Sequence, residues 1–126
     1  MRAGITVAFV SGRASPAVAA RARELRVAAD LQRVKDKALA VADLRDSRGL
    51  TRAEVLFVGD DLVDLPAFAQ AGVAVAPADA RPEVLRAAHA VTRAPGGRGA
   101  AREVAEAVLR ARGLASALPG LDPRGR

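Results

Sequence analysis

The chain has 126 residues, 51% of them apolar, and no cysteine, which fits one globular domain and excludes disulfides and thiolate metal sites. Its net charge of +6 is typical of nucleic-acid binders, but the basic residues are scattered and no Trp or Tyr is present for base stacking, so we expect no nucleic-acid partner. No apolar run reaches the roughly 18 residues of a membrane span. The apolar run at residues 5–10 is also too short for a signal peptide, so we expect no membrane partner and a cytoplasmic location.

Strand-like and helix-like segments alternate along the whole chain. The predicted strands are residues 5–10, 27–31, 55–58, 73–76 and 90–92, and the predicted helices are residues 16–26, 36–49, 65–71, 82–88 and 100–112. This alternation is typical of an α/β domain with a parallel sheet and helices on both faces. We expect one domain over residues 1–113. Residues 114–126 hold two prolines and two glycines and are predicted to be a flexible tail.

The segment EVLFVGDDLVDLP, residues 54–66, is the most informative part of the chain. A short apolar run predicts a strand covered on both faces, and Gly59 allows a turn at its carboxyl end. Asp60, Asp61 and Asp64 then lie where a parallel sheet binds ligands. Mg²⁺ is the natural cation for such carboxylates, because it prefers oxygen ligands and often pairs with a substrate phosphate. Alternatively, one Asp caps the next helix and the others are solvated.

Two other segments predict anion-binding groups at the same edge of the sheet. Ser11, Gly12 and Arg13 lie between the first strand and the first helix, where a hydroxyl, backbone N–H groups and a guanidinium can hold a phosphate or carboxylate. Lys37 begins the second helix, and its ammonium suits a phosphoryl oxygen. A simple turn and a solvated lysine are the alternatives. The only histidine, His89, is predicted to mark a packed helix end.

The order and spacing of these motifs resemble the haloacid dehalogenase (HAD) superfamily, which has a Ser-Gly after one strand, a later Lys and a GDxxxD after another strand. Longer segments resemble its 3-deoxy-D-manno-octulosonate 8-phosphate (Kdo-8-phosphate) phosphatase family, namely SGRASPAVAARARELRV, VKDKALAVADL, EVLFVGDDLVDLPAFAQAGVAVAPADARPEV and VTRAPGGRGAAREVAEAVL. The resemblance implies a capless, Rossmannoid HAD-like fold, Mg²⁺ as cofactor, a phosphorylated sugar acid as substrate and a homotetramer.

The resemblance also implies a role for individual residues. Ser11 and Lys37 would act on the transferring phosphoryl group, the first by hydrogen bonding and the second by neutralising charge. Asp60 would bind Mg²⁺ directly, and Asp64 would support Lys37 and the site. Gly12, Arg13 and Arg21 would bind the substrate, and residues 96–100 would form a loop beside the site.

One departure from the family is large. The family's first motif, DxDG, supplies the nucleophile and metal contacts at the end of a central strand, but no Asp precedes Asp30 in this chain. The sheet is therefore expected to lack its central first strand and to expose unpaired strand edges. Our hypothesis is that the chain is an N-terminally truncated form, inactive and poorly stable by itself.

Two alternatives to a phosphatase stay open at the sequence level. The same domain resembles the C-terminal part of some CMP-sialic acid synthetases, where it is a non-catalytic assembly module. A receiver domain would need acidic residues where this chain has Ser11, Gly12 and Arg13, so that class is disfavoured.

Overall fold

The computed structural model describes residues 1–114, in which five strands alternate with five α-helices. In chain order the elements are β1 (Ala8–Val10), α1 (Pro16–Leu25), β2 (Ala29–Leu31), α2 (Lys37–Ser47), β3 (Leu56–Val58), α3 (Leu65–Phe68), β4 (Val73–Ala76), α4 (Pro82–Ala87), β5 (Ala90–Val91) and α5 (Ala100–Ala111). Short 3-10 helices at Arg52–Glu54 and Leu62–Asp64 precede β3 and α3. The predicted order is confirmed, although most strands are shorter than expected.

The strands form two separate parallel sheets. Sheet A pairs β1 with β2, and sheet B has the order β3-β4-β5. Helix α2 contacts β1 of sheet A and also α3, which follows sheet B, so it lies against both units. Parallel strands flanked by helices confirm the predicted α/β class. Within residues 1–114, β1 and β3 each have one edge without a strand partner, as expected for a sheet that lacks its central strand.

The expectation that β3 is covered on both faces is wrong. Leu56 and Val58 are 38% and 40% exposed, and Phe57 between them is half-buried. The strand pairs only with β4, and no other strand of the described residues lies on its free side. The apolar run therefore predicted the strand correctly but not its burial.

The hydrophobic core lies on sheet B. Its buried cluster comprises Phe68, Ala74, Ala76, Ala80 and Val84, and Phe57 packs against it with its ring edge toward Phe68 at a centroid distance of 6.0 Å. Next to sheet A, the fully buried apolar side chains are small, namely Ala22 of α1 and Val41 of α2. Sheet B thus supplies most of the apolar burial of the domain.

Local sequence signals place the helices that carry the site. Ser15 caps α1 by accepting a hydrogen bond from the Val18 N–H, and Pro16 lies in the first turn. The predicted helix over residues 65–71 is shorter, ending at Phe68, because the chain turns there to bring Gly72 back to Val55. No helix within residues 1–114 is long and apolar enough to cross a membrane. The predicted tail, apart from Leu114, lies outside the described residues.

Candidate functional site

Asp64 is the centre of the site at the carboxyl end of β3. Its residue is only 4% exposed, and its Oδ2 accepts hydrogen bonds from the N–H groups of Asp60 and Asp61 at 2.9 and 3.1 Å. Its Oδ1 accepts one from the Lys37 ammonium at 2.5 Å. A buried carboxylate needs such partners, because an unpaired charge in the interior is costly. Asp64 therefore fixes the loop that carries Asp60 and orients Lys37.

Gly59 allows this loop to approach Asp64. A Cβ atom at position 59 would lie 2.5 Å from the Asp64 Cβ and 2.8 Å from its Cγ, which is closer than real side chains come. The Gly59 N–H also donates to the Val75 carbonyl at 3.1 Å, which holds this end of β3 against β4. Only glycine fits between the strand and the Asp64 side chain.

Lys37 is the first residue of α2, so the end of β2 and the start of that helix position it. Asp36 caps the helix by accepting a hydrogen bond from the Leu39 N–H at 2.9 Å. A cation in the first helical turn opposes the helix dipole. The Lys37 side chain is nevertheless only 12% exposed, because its ammonium pairs with Asp64. The alternative of a solvated lysine is therefore wrong, because the ammonium lies against the acidic loop after β3.

The pKa values of the two central carboxyls move in opposite directions. Burial alone raises the pKa of Asp64, but the hydrogen bonds from Lys37 and from the Asp61 and Asp60 amides together bring it below its usual value. The pKa of Asp60 is raised, first by burial and then by the negative charges of Asp64 and Asp61. Asp60 thus carries a charge that the protein itself does not neutralise.

That uncompensated charge makes Asp60 the carboxylate best suited to a cation. Within residues 1–114, no cluster of three or more His, Asp or Glu side chains is arranged to hold a metal ion. Mg²⁺ is commonly bound through one or two carboxylates, with water and substrate phosphate as the other ligands, so a single Asp60 fits that mode. Asp61 instead accepts a hydrogen bond from the Leu62 N–H at 2.7 Å, which is the capping role considered from the sequence.

The loop after β1 lies beside the segment that leads into α2. The Ser11 N–H donates to the Leu31 carbonyl at 2.8 Å, and the Val34 N–H donates to the Ser11 carbonyl at 2.9 Å. Ser11 therefore contacts the chain three residues before Lys37. Its hydroxyl accepts a hydrogen bond from the Arg13 N–H at 3.3 Å, which makes a compact turn. Gly12 and Arg13 are exposed at the tip of this turn.

The structure brings the predicted residues together to different degrees. Lys37, Asp60 and Asp64 are joined by direct hydrogen bonds, and Ser11 is joined to the same region through the backbone. Arg21 lies apart from this network, because it is exposed on α1 and pairs with Glu24 at 2.8 Å. It forms no hydrogen bond or ion pair with the other predicted site residues in the described part of the chain.

The loop after β4 also reaches the site, although no role for it was predicted from the sequence. The Arg81 N–H donates to the Asp60 carbonyl at 3.0 Å, and Asp79 accepts a hydrogen bond from the Gly96 N–H at 2.7 Å. The glycine-rich segment at residues 96–100 is thereby tied to the loop that supports Asp60. Its position after a strand of a parallel sheet was the signal available in the sequence.

His89 follows the end of α4, as predicted, but it is exposed there, so the expectation that it is packed is wrong. Its Nδ1 accepts a hydrogen bond from the Ala74 N–H at 2.9 Å, and its own N–H donates to the Ala74 carbonyl at 2.8 Å. These contacts extend the pairing of β4 with the segment before β5. A role as a proton acceptor in catalysis has no support from this geometry.

Known proteins provide an independent comparison. The haloacid dehalogenase-like hydrolase family model matches residues 31–103. A 3-deoxy-D-manno-octulosonate 8-phosphate phosphatase from Yersinia pestis is 40% identical over 118 residues, which are 94% of this chain and 63% of that protein. The chain thus spans somewhat less than two thirds of this relative.

Solved structures give the same comparison for the fold. The cobalt-bound deoxy-D-mannose-octulosonate 8-phosphate phosphatase from Haemophilus influenzae is 39% identical, with a TM-score of 0.90 over 94% of this chain and 70% of that chain. The Moraxella catarrhalis 3-deoxy-D-manno-octulosonate 8-phosphate phosphatase, in complex with magnesium, phosphate and a KDO molecule, is 33% identical, with a TM-score of 0.88 over 92% of this chain and 67% of that chain. Because the family model spans more than half of its residues, the chain belongs to the haloacid dehalogenase-like hydrolases.

Proposed function

We propose that the protein carries the phosphate-binding and metal-binding parts of a Mg²⁺-dependent phosphomonoesterase site. The observation that supports this most is the network in which Lys37 and the loop of Asp60 meet on one buried carboxylate, Asp64. This network supports the proposal because it joins an ammonium, which suits phosphoryl oxygens, to the loop of a carboxylate that suits a metal ion. Phosphoryl transfer depends mainly on such positioning and charge stabilisation.

In this proposal each residue has a defined task. The Ser11 hydroxyl and the Gly12 N–H hydrogen-bond the phosphoryl group. The Lys37 ammonium neutralises charge that develops on that group, and Asp64 keeps the ammonium oriented. Asp60 would hold Mg²⁺, which supplies charge neutralisation and phosphate alignment when bound.

Hydrolysis also needs a nucleophile, and the 126 residues contain no DxDG motif. We therefore propose that the chain binds phosphate and Mg²⁺ but does not turn over a phosphate ester by itself. No observation favours the alternative of an assembly module, because the relatives compared above are phosphatases.

The experiment is to titrate the purified 126-residue protein with inorganic phosphate and Mg²⁺ by calorimetry and to assay phosphate release in parallel. We expect Lys37→Ala to lose phosphate binding, Asp60→Ala to lose Mg²⁺ binding, and Arg23→Ala on the exposed side of α1 to keep both. Absence of both binding events in the wild type would contradict the proposed site. Mg²⁺-dependent hydrolysis that disappears in Asp60→Ala would support the site and contradict the proposed inactivity.

For the substrate, we propose a phosphorylated sugar acid of the Kdo-8-phosphate kind, on the strength of the relatives' activity. Arg13 and Arg21 are the proposed carboxylate-binding side chains, Arg13 from its place in the site loop and Arg21 by family resemblance alone. A competition series with phosphates that have or lack a carboxylate tests this choice.

We also propose a cytoplasmic homotetramer. An open apolar groove of about 550 Å³ along α2, with Leu39 57% exposed beside it, supports an interface there. Light scattering after size-exclusion chromatography tests the assembly. A monomer at all concentrations would contradict it, and Leu39→Asp should lower the mass if α2 takes part.

A further inference from the structure

The loop that joins β1 to α1 is held by the chain that follows β2. At the start of this loop, the Ser11 N–H donates to the Leu31 carbonyl at 2.8 Å, and the Ser11 carbonyl accepts a hydrogen bond from the Val34 N–H at 2.9 Å. At its middle, the Arg13 carbonyl accepts a hydrogen bond from the Arg33 N–H at 3.4 Å. All three bonds join backbone groups, so they fix the first part of the loop without any side chain.

The end of the same loop is held by the side chain of Gln32, the residue that follows β2. The Gln32 Oε1 accepts a hydrogen bond from the Ser15 N–H at 2.8 Å, and the Gln32 Nε2 donates to the Ser15 carbonyl at 3.3 Å. The carboxamide thus pairs with both polar backbone groups of one residue, as a neighbouring strand would. Because Ser15 is also the N-cap of α1, Gln32 fixes the point at which the loop becomes a helix.

Asp30, in the middle of β2, determines which way the Gln32 amide faces. Its Oδ2 accepts a hydrogen bond from the Gln32 Nε2 at 3.0 Å. An ionised carboxylate can only accept, so the NH₂ end of the amide must face Asp30, which leaves the Gln32 Oε1 for the Ser15 N–H. The other Asp30 oxygen, Oδ1, is buried without a hydrogen-bond partner in residues 1–114. A buried acceptor without a partner costs free energy, so the contact with Gln32 is the favourable polar interaction of this side chain.

We propose that Gln32 is a positioning residue, which holds the Ser11 hydroxyl and the Gly12 N–H in the arrangement that binds a phosphoryl group. The inference rests on the proposed function, since it names a support of the same site. The Ser11 Oγ already accepts the Arg13 N–H at 3.3 Å, so its own proton is left to donate to a phosphoryl oxygen. The tip of this turn is exposed, and both of its ends must be held if it is to be ordered before the anion binds.

The test titrates the full chain with inorganic phosphate by NMR and follows the Ser11 and Gly12 amides. Gln32→Met keeps the length of the side chain and removes its amide. We expect the dissociation constant for phosphate to rise about tenfold, as for a loop whose binding-competent fraction falls to about a tenth. The ¹⁵N heteronuclear NOE of Gly12 should fall as the loop loosens. Gln70→Met is the matched control, because Gln70 accepts a hydrogen bond from Arg45 at 3.1 Å away from this loop, and it should change neither value.

A reciprocal exchange separates positioning from simple packing. Gln32→Glu alone sets a second carboxylate beside Asp30 and should also weaken phosphate binding. Adding Asp30→Asn to the same chain exchanges donor and acceptor, so the bond between the two side chains can form again and the net charge equals that of the wild type. This double variant should recover most of the phosphate affinity. All three side-chain sizes are nearly the same, so a role limited to filling space predicts no such loss and recovery.

The outcomes distinguish the inference from the proposed function. Phosphate binding of equal strength in the wild type and Gln32→Met, equal losses in Gln32→Met and Gln70→Met, or no recovery in the double variant would overturn the inference while the phosphate site stands. No phosphate binding by the wild type, with Gly12 loosened only in Gln32→Met, would overturn the proposed function and leave Gln32 as the residue that orders this loop.

Discussion

Sheets A and B have the same strand direction but differ in how they are stabilised. Sheet B has a buried cluster that includes Phe68 and Val84, and three of the four residues of its strand β4 are buried. Every strand residue of sheet A is only half-buried, and the fully buried apolar groups beside it are Ala22 and Val41. Because stability follows buried apolar area, we infer that sheet B is the more stable unit.

The difference also separates two kinds of functional group. The groups proposed to bind anions, Ser11, Arg13 and Lys37, lie in the segments that follow the strands of sheet A. Asp60 and Asp64 lie in the segment that follows β3 of sheet B. The pair of Lys37 with Asp64 joins them. The weaker unit is thus held to the stronger one by the packing of α2 against α3 and by this ion pair, which also builds the site.

The largest effect is expected from the core of sheet B. Phe68→Ala should lower the free energy of unfolding by about 4 kcal/mol, since Phe68 is 6% exposed and its removal leaves a large cavity. Phe9→Ala is the same change in sheet A, where the ring is half-buried, and should cost about 2 kcal/mol. Urea denaturation measures the free energy of unfolding of both variants. Equal losses would mean that sheet A is as well packed as sheet B.

The link between the sheets is the next test. Lys37→Met should cost about 3 kcal/mol, because it leaves the Asp64 carboxylate buried with only its two backbone hydrogen bonds. Hydrogen exchange should accelerate in sheet A more than in sheet B. Lys35→Met, a change at an exposed lysine two residues earlier, should have little effect. Similar destabilisation by both variants would show that the ion pair does not hold the sheets together.

The two glycines at the strand ends give a matched pair. Gly59→Ala should cost about 2 kcal/mol and weaken Mg²⁺ binding, because the new Cβ would lie 2.5 Å from the Asp64 Cβ. Gly12→Ala should be nearly neutral for stability, since the closest atom to its Cβ is the Val34 carbonyl oxygen at 3.7 Å. Thermal unfolding with and without Mg²⁺ measures both. A stable Gly59→Ala variant would imply that the loop after β3 moves freely.

A smaller effect is expected from the charge of Asp60. Its pKa is raised in the folded state, so the stability that it contributes is present below its unfolded pKa and is lost as pH rises through the folded value. The pKa of Asp64 is lowered, so its contribution is present at neutral pH and is lost only as pH falls through that lowered value. Asp60→Asn should therefore raise the urea midpoint at neutral pH, whereas Asp64→Asn should lower it.

Mg²⁺ distinguishes the proposed role of Asp60 from simple repulsion. Free Mg²⁺ at ten times its dissociation constant should raise the free energy of unfolding of the wild type by about 1.4 kcal/mol, and the Asp60→Asn variant should lose this gain. Asp61→Asn, which changes a capping side chain, should keep most of it. A Mg²⁺ effect of equal size in both variants would exclude Asp60 as the metal ligand.

The sequence was sufficient for elements with strong local signals. The predicted helix starts at residues 16 and 36 agree to within one residue with α1 and α2, and the order of strands and helices along the chain followed from the alternation of apolar segments. Burial was not predictable in the same way. The apolar residues of β3 predicted a strand covered on both faces, whereas Leu56 and Val58 are exposed in the structure. Whether a strand is covered depends on its neighbours, and periodicity does not report them.

The site shows the same division. Lys37 and Asp64 were placed near each other by topology, but the hydrogen bonds to Asp64 and the steric need for Gly59 appear only in three dimensions. The contact between the loop after β4 and the Asp60 carbonyl, and the positive φ of Arg33, have no local sequence signal. Residue type identifies chemistry, whereas backbone contacts decide which residues share a site.

The smallest predicted effect concerns the unpaired edges of β1 and β3. Ser11 and Gly59 donate their N–H groups to β2 and β4, so by alternation the N–H groups of Val10 and Val58 point to the free edges. We expect the amides of Ala8, Val10, Leu56 and Val58 to exchange with deuterium much faster than those of Phe9 and Phe57. The Phe9 and Phe57 amides are the internal controls, because they lie in the same strands and face a partner. Equal protection of even-numbered and odd-numbered positions would mean that the free edges are paired in solution, and a dependence of that protection on protein concentration would identify a second copy of the chain as the partner.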